Sequence, residues 1–430
     1  MKQQTRHFTS ELTVIGSGLA GCSASIFALN QGISTAQTGN TGAIAYTTGY
    51  LDLLGNLPGE TPTKLDSPWE GIEKLQEQYP QNPLCRLSKE EVTEAFDQVV
   101  SFISKAGIIY TKPDGTNKTA ITPAGTSKPT YSVPGTMLAG VKAFKSKSKC
   151  IIIDFKGLRG FSSREVVANL QNDWPSLSAA RVSFPDMESG EIYPEVMARA
   201  LEVPAVQERL AETVKEILGD AEVVGMPAIM GMHNPDEVMN RLSALIGKPL
   251  FEIPTMPPSV PGIRLREMFE QVFPQKGITL IPQQKVKKVE FDIDTVELHL
   301  TDNYGPIRIS SQTVILASGR FLSGGLEAKI EGISEPLLGL HVSQPETRND
   351  WYREQYMDSR GHDIHYSGIE VDDQFRPLTA DGNIVDPRLF AAGIVLAHQD
   401  WIRGRCGAGV AIATAFKAVQ GARKVIEDRK

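Results

Sequence analysis

VIGSGLAGCSASIFALNQGISTAQTGN, residues 14–40, spaces three glycines as G-x-G-x-x-G at Gly16, Gly18 and Gly21. An apolar strand end leads into them (ELTVIG, 11–16). Helix formers follow from 18 to 31 and stop at Gly32, and ISTAQT (33–38) then reads as a second strand. The order strand, glycine turn, helix, strand gives the spacing physical meaning. The turn must be tight, a pyrophosphate must approach the backbone, and the helix must pack closely on the strand. From Leu12 to Leu51 there is no Asp, Glu, Lys or Arg. An anion here would be held by the backbone of Gly16, Ser17, Gly18, Leu19, Ala20 and Gly21 and by the helix N-terminus, not by a cationic side chain. A buried strand–helix–strand core would need the same glycines for packing alone. A dinucleotide unit ordinarily closes with an acid that grips a ribose. None stands near Thr38 or Gly39; the first carboxylate after the glycines is Asp52.

The chain of 430 residues has room for two or three globular units, or one large domain with insertions. With 41% apolar and 22% charged residues it has the composition of a folded protein, and a net charge of -7 argues against nucleic acid or an anionic membrane as main partner. Four cysteines, at 22, 85, 150 and 406, are too scattered for a zinc or iron–sulfur framework, so no metal is expected and free thiols point to a reducing compartment. No apolar run reaches the ~20 residues of a membrane helix. The first residues, MKQQTRHFTSE, lack an apolar signal core. A cytoplasmic protein is expected, touching a membrane only through a partner.

Further along, KCIIIDF (149–155) and TVILASG (313–319) read as buried strands, and EVVGMPAIMGM (222–232) as a strand with a Pro/Gly turn. ITPAGTSKPTYSVPG (121–135) reads as a turn-rich extended loop. IPTMPPSVPGIRLREMFEQVF (253–273) is a proline loop leading into an amphipathic helix. GITLIPQQKVKKVEFD and TVELHLTDNYGPIRIS alternate like strands, turning at Asn303-Tyr304-Gly305. Near the end, a strand stops at Ala392-Gly393, and Gly404, Gly407 and Gly409 open a long helix of small residues. Two glycine-opened helix N-termini, one from each end of the chain, imply one nucleotide domain with the middle inserted. The predicted organisation is an α/β, Rossmann-like domain built from 1–57, 253–320 and 385–430. An inserted α+β cap or partner domain would occupy 58–252, with a continuation at 321–384.

These landmarks resemble flavoproteins with a glutathione-reductase-type FAD domain. More closely they are similar to the family of B subunits of anaerobic glycerol-3-phosphate dehydrogenase, through TTGYLDLLG (47–55), TPAGTSKPTY (122–131), GMPAIMG (225–231), PTMPPSVPGIRL (254–265), LASGRFLSGGL (316–326), EPLLGL (335–340) and LFAAG through GRCGAGVAIA (389–413). The resemblance implies a flavin-dependent subunit paired with a companion flavoprotein. A third, membrane-bound iron–sulfur subunit would pass electrons toward quinone, and the reaction would oxidise sn-glycerol 3-phosphate to dihydroxyacetone phosphate. It implies FMN, which has no adenosine ribose to clamp, whereas the glycine fingerprint suits the pyrophosphate of FAD. Where FAD proteins commonly carry an Asp for the ribityl chain, this chain has Ile394. Two other readings stand beside this one: a flavin-carrying relay subunit whose companion does the chemistry, and a stand-alone FAD dehydrogenase of another small organic substrate.

For the cofactor, the candidates besides the first loop are Gly319, Gly393, Gly407, Ala408 and Gly409, the last three at a helix start whose dipole favours negative charge on a flavin. For the substrate phosphate they are Lys128, Arg264, Arg320 and Arg405, each in or beside a matching motif. Alcohol oxidation needs a base for the hydroxyl proton. Among seven histidines, His398 lies in the loop between two flavin motifs and is the chosen catalytic candidate, ahead of His341 and His365. Cys22 and Cys406 sit near helix N-termini, which lowers a thiol pKa. Both are read as structural first.

Overall fold

The computed structural model describes residues 4–40, 42–59 and 62–429. The chain gathers into two compact units, the first Met1–Ile44, Asp52–Val99 and Phe269–Lys430, the second Ala45–Leu51 and Val100–Met268.

The first unit is built on a seven-stranded sheet. Its strands are β1 (Arg6–Ile15), β2 (Thr35–Gly39), β3 (Thr279–Pro282), β4 (Lys288–Phe291), β5 (Val296–Asp302), β6 (Gly305–Leu316) and β7 (Leu389–Ala391). They run in the order β3-β2-β1-β6-β5-β4, with β7 also on β6. Val14 pairs in parallel with Gln37 of β2 and with Ile315 of β6. β5 and β6 form an antiparallel hairpin through Asn303-Tyr304. β6 records both environments. Its first half alternates buried and exposed beside the antiparallel strands, and its last four residues, between parallel neighbours, are all buried.

Helix α1 (Leu19–Asn30) is buried continuously from Ala20 to Ala28, as a helix covered on all sides must be. Phe27 meets Phe416 of the long C-terminal helix edge to face, with centroids 5.1 Å apart. The alanines and glycines of both helices let them lie close together.

The second unit has its own parallel sheet, ordered Leu250–Ile253, Val223–Pro227, Cys150–Phe155, Leu177–Val182. Successive residues of the third of these strands feed opposite faces. Ile151, Ile153 and Phe155 enter one apolar cluster; Cys150 and Ile152 enter the other. The stretch expected as an extended loop holds an antiparallel hairpin, Lys118–Ile121 with Ser127–Thr130.

The unit boundaries depart from those read in the sequence. Residues 58–99 and 321–384 gather with the first unit, and 45–51 and 253–268 with the second. Main-chain pairing explains the 321–384 shift, since Val342-Ser343 pairs with Gly368-Ile369 and the Ile369 amide donates to the Val395 oxygen. Burial explains 253–268, since Val260 and Ile263 lie in one cluster with Ala45, Ala198, Ala228 and Met232.

Candidate flavin site

At the end of β1 the backbone turns through Gly16 with φ of +139°, and a Cβ there would stand 2.1 Å from the Ala317 carbonyl oxygen. A Cβ on Gly21 would stand 2.0 Å from the Gly16 oxygen. These two glycines serve the contact of loop, helix and strand. Gly18 is different, because among the described residues nothing lies within 4 Å of a Cβ built on it. It is the N-cap of α1, makes no side-chain cap hydrogen bond, and the first turn holds no acidic residue. The amides of Leu19, Ala20 and Gly21 are therefore left without a side-chain acceptor, which suits an anion.

The missing ribose acid has a steric cause. A Cβ on Gly39 would lie 2.8 Å from the Ser17 nitrogen, and one on Gly42 would lie 2.6 Å from the Ser17 oxygen. The Ser17 hydroxyl donates to the Asn40 oxygen. Gly39, Asn40 and Gly42 thus run directly against the glycine loop, leaving no space for an Asp or Glu side chain at 39. The flanking side chains serve the backbone instead. Gln37 Nε2 donates to the Gly16 oxygen at 2.9 Å, and the Thr38 hydroxyl donates to the Gln284 oxygen at 3.1 Å.

The second helix start is assembled from three pieces. Asp400 caps the short helix α2 (Trp401–Gly404), its Oδ1 accepting from the Ile402 and Arg403 amides at 3.0 Å each. Arg405 then takes a left-handed conformation, φ +48°. Cys406 is the N-cap of α3 (Gly407–Glu427), again with no side-chain cap bond and no acid in the first turn. Gly409 needs correcting as a flavin contact. Its amide donates to the Asp52 oxygen at 2.6 Å, and a Cβ on it would stand 2.3 Å from the Leu53 oxygen. Its place is backbone contact, and the amides of Gly407 and Ala408 remain for a ligand. Gly393 likewise spends its amide on Thr414 Oγ1, 2.8 Å away, and packs on Ala20. Gly319, at φ +71°, makes room for the Ser323 hydroxyl, which donates to the Ser318 oxygen at 2.6 Å. Both shape the loops around the helix starts.

Of the four candidate phosphate cations, two are consumed inside the protein. Arg264, 2% exposed, binds Glu252 through two bonds of 2.7 Å and the Gly231 oxygen through a third. This fork-to-fork pair commits the buried guanidinium to Glu252 and the Gly231 oxygen. Arg320 is also buried, its guanidinium donating to the main-chain oxygens of His365, Ile364 and Ser367. Lys128, in the second unit, places Nζ 5.8 Å from the centroid of the Tyr50 ring. Arg405, in the first unit, is exposed, and its guanidinium has no hydrogen-bond or ion-pair partner among the described residues. Lys128 and Arg264 belong to the second unit, Arg320 and Arg405 to the first.

The histidines divide in the same way. His398 Nε2 is bonded to Glu370 Oε1 at 2.9 Å, on a surface where that carboxylate is 36% exposed. His365, ranked lower in the sequence, meets Asp400 through Nδ1 at 3.0 Å, and the Asp400 side chain is 1% exposed. A separation of 35 residues hid that pair. The sequence did carry one signal: an Asp directly ahead of a short helix start. His341 belongs to an open surface loop with Glu335 and Gln344.

Burial overrules the helix-start effect on the Cys22 thiol. Burial pushes it up to about 12, outweighing the hydrogen bond from Gln37. Among the described residues no group of His, Cys, Asp and Glu could hold a metal ion, and no helix is long and apolar enough to cross a membrane.

The profile of a family described as FAD binding domain matches residues 11–410. The chain is 28% identical to the B subunit of anaerobic glycerol-3-phosphate dehydrogenase from Aliivibrio fischeri, over 95% of this chain and 94% of that relative. It is 29% identical to the protein of the same name from Vibrio cholerae, over 95% of each. Among solved structures, 3-ketosteroid Δ1-dehydrogenase of Sterolibacterium denitrificans is similar over 98% of this chain and 100% of that chain, at 10% identity and a TM-score of 0.43.

Proposed function

The chain belongs to the FAD-binding-domain family, and on that premise we propose that it is the flavin-dependent subunit of an enzyme oxidising sn-glycerol 3-phosphate to dihydroxyacetone phosphate. The observation that carries the reading is similarity, along 95% of the chain, to relatives named as the B subunit of that dehydrogenase. The two uncapped helix starts support it, because both suit an anionic cofactor.

The family's cofactor is FAD. Gly18 and the amides of Leu19, Ala20 and Gly21 would hold its phosphate, without a carboxylate on the ribose. The amides of Gly407 and Ala408 would face the end that gains negative charge on reduction. When bound, the flavin supplies the hydride acceptor. Arg405, exposed in the first unit, is the candidate ligand of the substrate phosphate. The name of the relatives implies an assembly. We place a companion flavoprotein and a membrane-bound iron–sulfur subunit as the route by which electrons leave, with this chain at the cytoplasmic membrane surface.

One observation favours a relay role as second reading: Arg264 and Arg320 are both spent on protein groups. Anaerobic mixing of the purified, flavin-loaded chain with glycerol 3-phosphate separates the two, with the flavin identified by mass. Bleaching by this chain alone supports catalysis here. Bleaching only after the companion is added supports relay, and a chain that binds no flavin refutes both.

A further inference from the structure

We propose that His365 is the base that takes the substrate hydroxyl proton, fixed in its productive tautomer by Asp400 and held in place by Arg320. The proposal rests on the dehydrogenase reading above and names a residue for the one step that reading left without a group.

The tautomer follows from the hydrogen bonds around Asp400. Its Oδ1 accepts two main-chain amides at 3.0 Å, and its Oδ2 lies 3.0 Å from His365 Nδ1. Burial opposes ionisation of this carboxyl, but the bond with His365 and the Arg403 and Ile402 amides outweigh it and hold it below the usual carboxylate range. An ionised carboxylate only accepts, so the shared proton belongs to Nδ1 of the ring. A neutral imidazole with its proton on Nδ1 presents an unprotonated Nε2, the atom a base needs. The side chain is 24% exposed, and Nε2 has no partner among the described residues.

The neighbouring histidines lack this arrangement. His362 accepts the Arg353 amide on Nδ1 and bonds the Tyr356 oxygen through Nε2, so both nitrogens are used. His398 has its Nε2 on Glu370.

The backbone around His365 is fixed from behind. Arg320 leaves the end of β6 just after Gly319 and donates to the oxygens of Ile364, His365 and Ser367 at 2.9, 2.5 and 2.6 Å. Among the described residues it has no carboxylate partner within ion-pair distance. A buried guanidinium spent on three carbonyls of one turn is costly to place and rigidifies that turn. Gly361 completes the fit, because a Cβ there would stand 2.6 Å from Asp400 Oδ2. The other charged or titratable groups on this wall are Asp363 paired with Arg353, Asp358 paired with Arg360, Arg403 bonded to the Asp358 oxygen, Tyr366, and the His362 ring 5.6 Å from that of His365. Asp400 also caps the short helix that ends one residue before the left-handed Arg405, in the segment that leads into α3.

In the step, the substrate O–H bond breaks and an Nε2–H bond forms. The oxygen keeps the electron pair, which becomes the second carbon–oxygen bond as the carbon gives up its hydride, for which a bound flavin would supply the acceptor.

The test uses the flavin-loaded chain assembled with its companion, and three substitutions: His365→Gln, His365→Ala and Asp400→Asn. Anaerobic rapid mixing with glycerol 3-phosphate measures flavin reduction, and ¹⁵N imidazole spectra of the flavin-loaded chain report the tautomer without turnover. For His365→Gln, kcat/KM should fall on the order of 10²- to 10⁴-fold, the range of a lost general base, with flavin content unchanged. Added imidazole should recover part of the rate of His365→Ala. The wild-type spectrum should show the proton on Nδ1, and Asp400→Asn should move it to Nε2. A His365→Gln rate within a few-fold of wild type, or a wild-type proton on Nε2, overturns the proposal and leaves the dehydrogenase reading standing. If wild-type assembly binds flavin but glycerol 3-phosphate never bleaches it, the dehydrogenase reading fails and the base falls with it.

Discussion

Replacing Arg264 by alanine separates its two assignments, substrate ligand and buried structural cation. The Glu252 side chain it leaves behind is fully buried, keeping among the described residues only the Thr136 hydroxyl and the Met230 amide, each at 2.7 Å. Removing one partner of such a pair costs about 3–5 kcal/mol, because the remaining charge is stranded. At roughly 2–4 °C per kcal/mol for a unit of 150–250 residues, Tm should fall by about 6–20 °C. Replacing both partners by apolar residues, Glu252→Leu with Arg264→Met, should recover most of that loss. A pH series adds a sign. Burial opposes ionisation of Glu252, but Arg264 and the remaining donors outweigh it and hold the carboxyl below its usual range. A depressed folded pKa stabilises above the unfolded value, roughly 4.3, and that contribution fades as pH falls through the folded one. The advantage of wild type over Arg264→Ala should therefore shrink in acid. Thermal unfolding followed by circular dichroism measures all of this. A Tm change below about 2 °C, far less than a stranded charge costs, together with a raised KM for glycerol 3-phosphate would refute the reasoning and restore Arg264 as a phosphate ligand.

Gly16→Ala should abolish soluble folded protein, since its Cβ would enter the Ala317 carbonyl, whereas Gly18→Ala should fold normally and lose bound flavin. Yield and the flavin-to-protein ratio read both outcomes. Gly39→Asp, which restores a formal ribose acid, should weaken flavin binding because the side chain meets the Ser17 backbone; tighter binding in a flavin titration would contradict the steric account. At pH 8 the buried Cys22, pushed up to about 12 by burial, should resist a thiol reagent in the folded protein, while partly exposed Cys85, pushed up to about 11, should react slowly. Rapid labelling of Cys22, located by peptide mass, would refute that.

Local order was written in the sequence where neighbours along the chain dictate it. The glycine spacing at 16–21, the helix to Asn30, the β5–β6 hairpin and the small-residue C-terminal helix all follow from turn chemistry and periodicity, and with the quoted motifs they led to the FAD-binding family. What each polar side chain serves was set by partners far away in sequence. Arg264 could be read as a phosphate ligand until Glu252 and the Gly231 oxygen were seen to hold it in the interior, and Arg320 until three carbonyls of 364–367 were. His398 looked better placed than His365 because nothing in the one-dimensional pattern brings residue 365 to residue 400. The absent ribose acid shows the division most sharply. The sequence registers only that Gly39 is not Asp or Glu; the structure supplies the reason, a backbone so close to Ser17 that only glycine fits. Periodicity is a property of the chain, but donor satisfaction and excluded volume belong to the folded molecule.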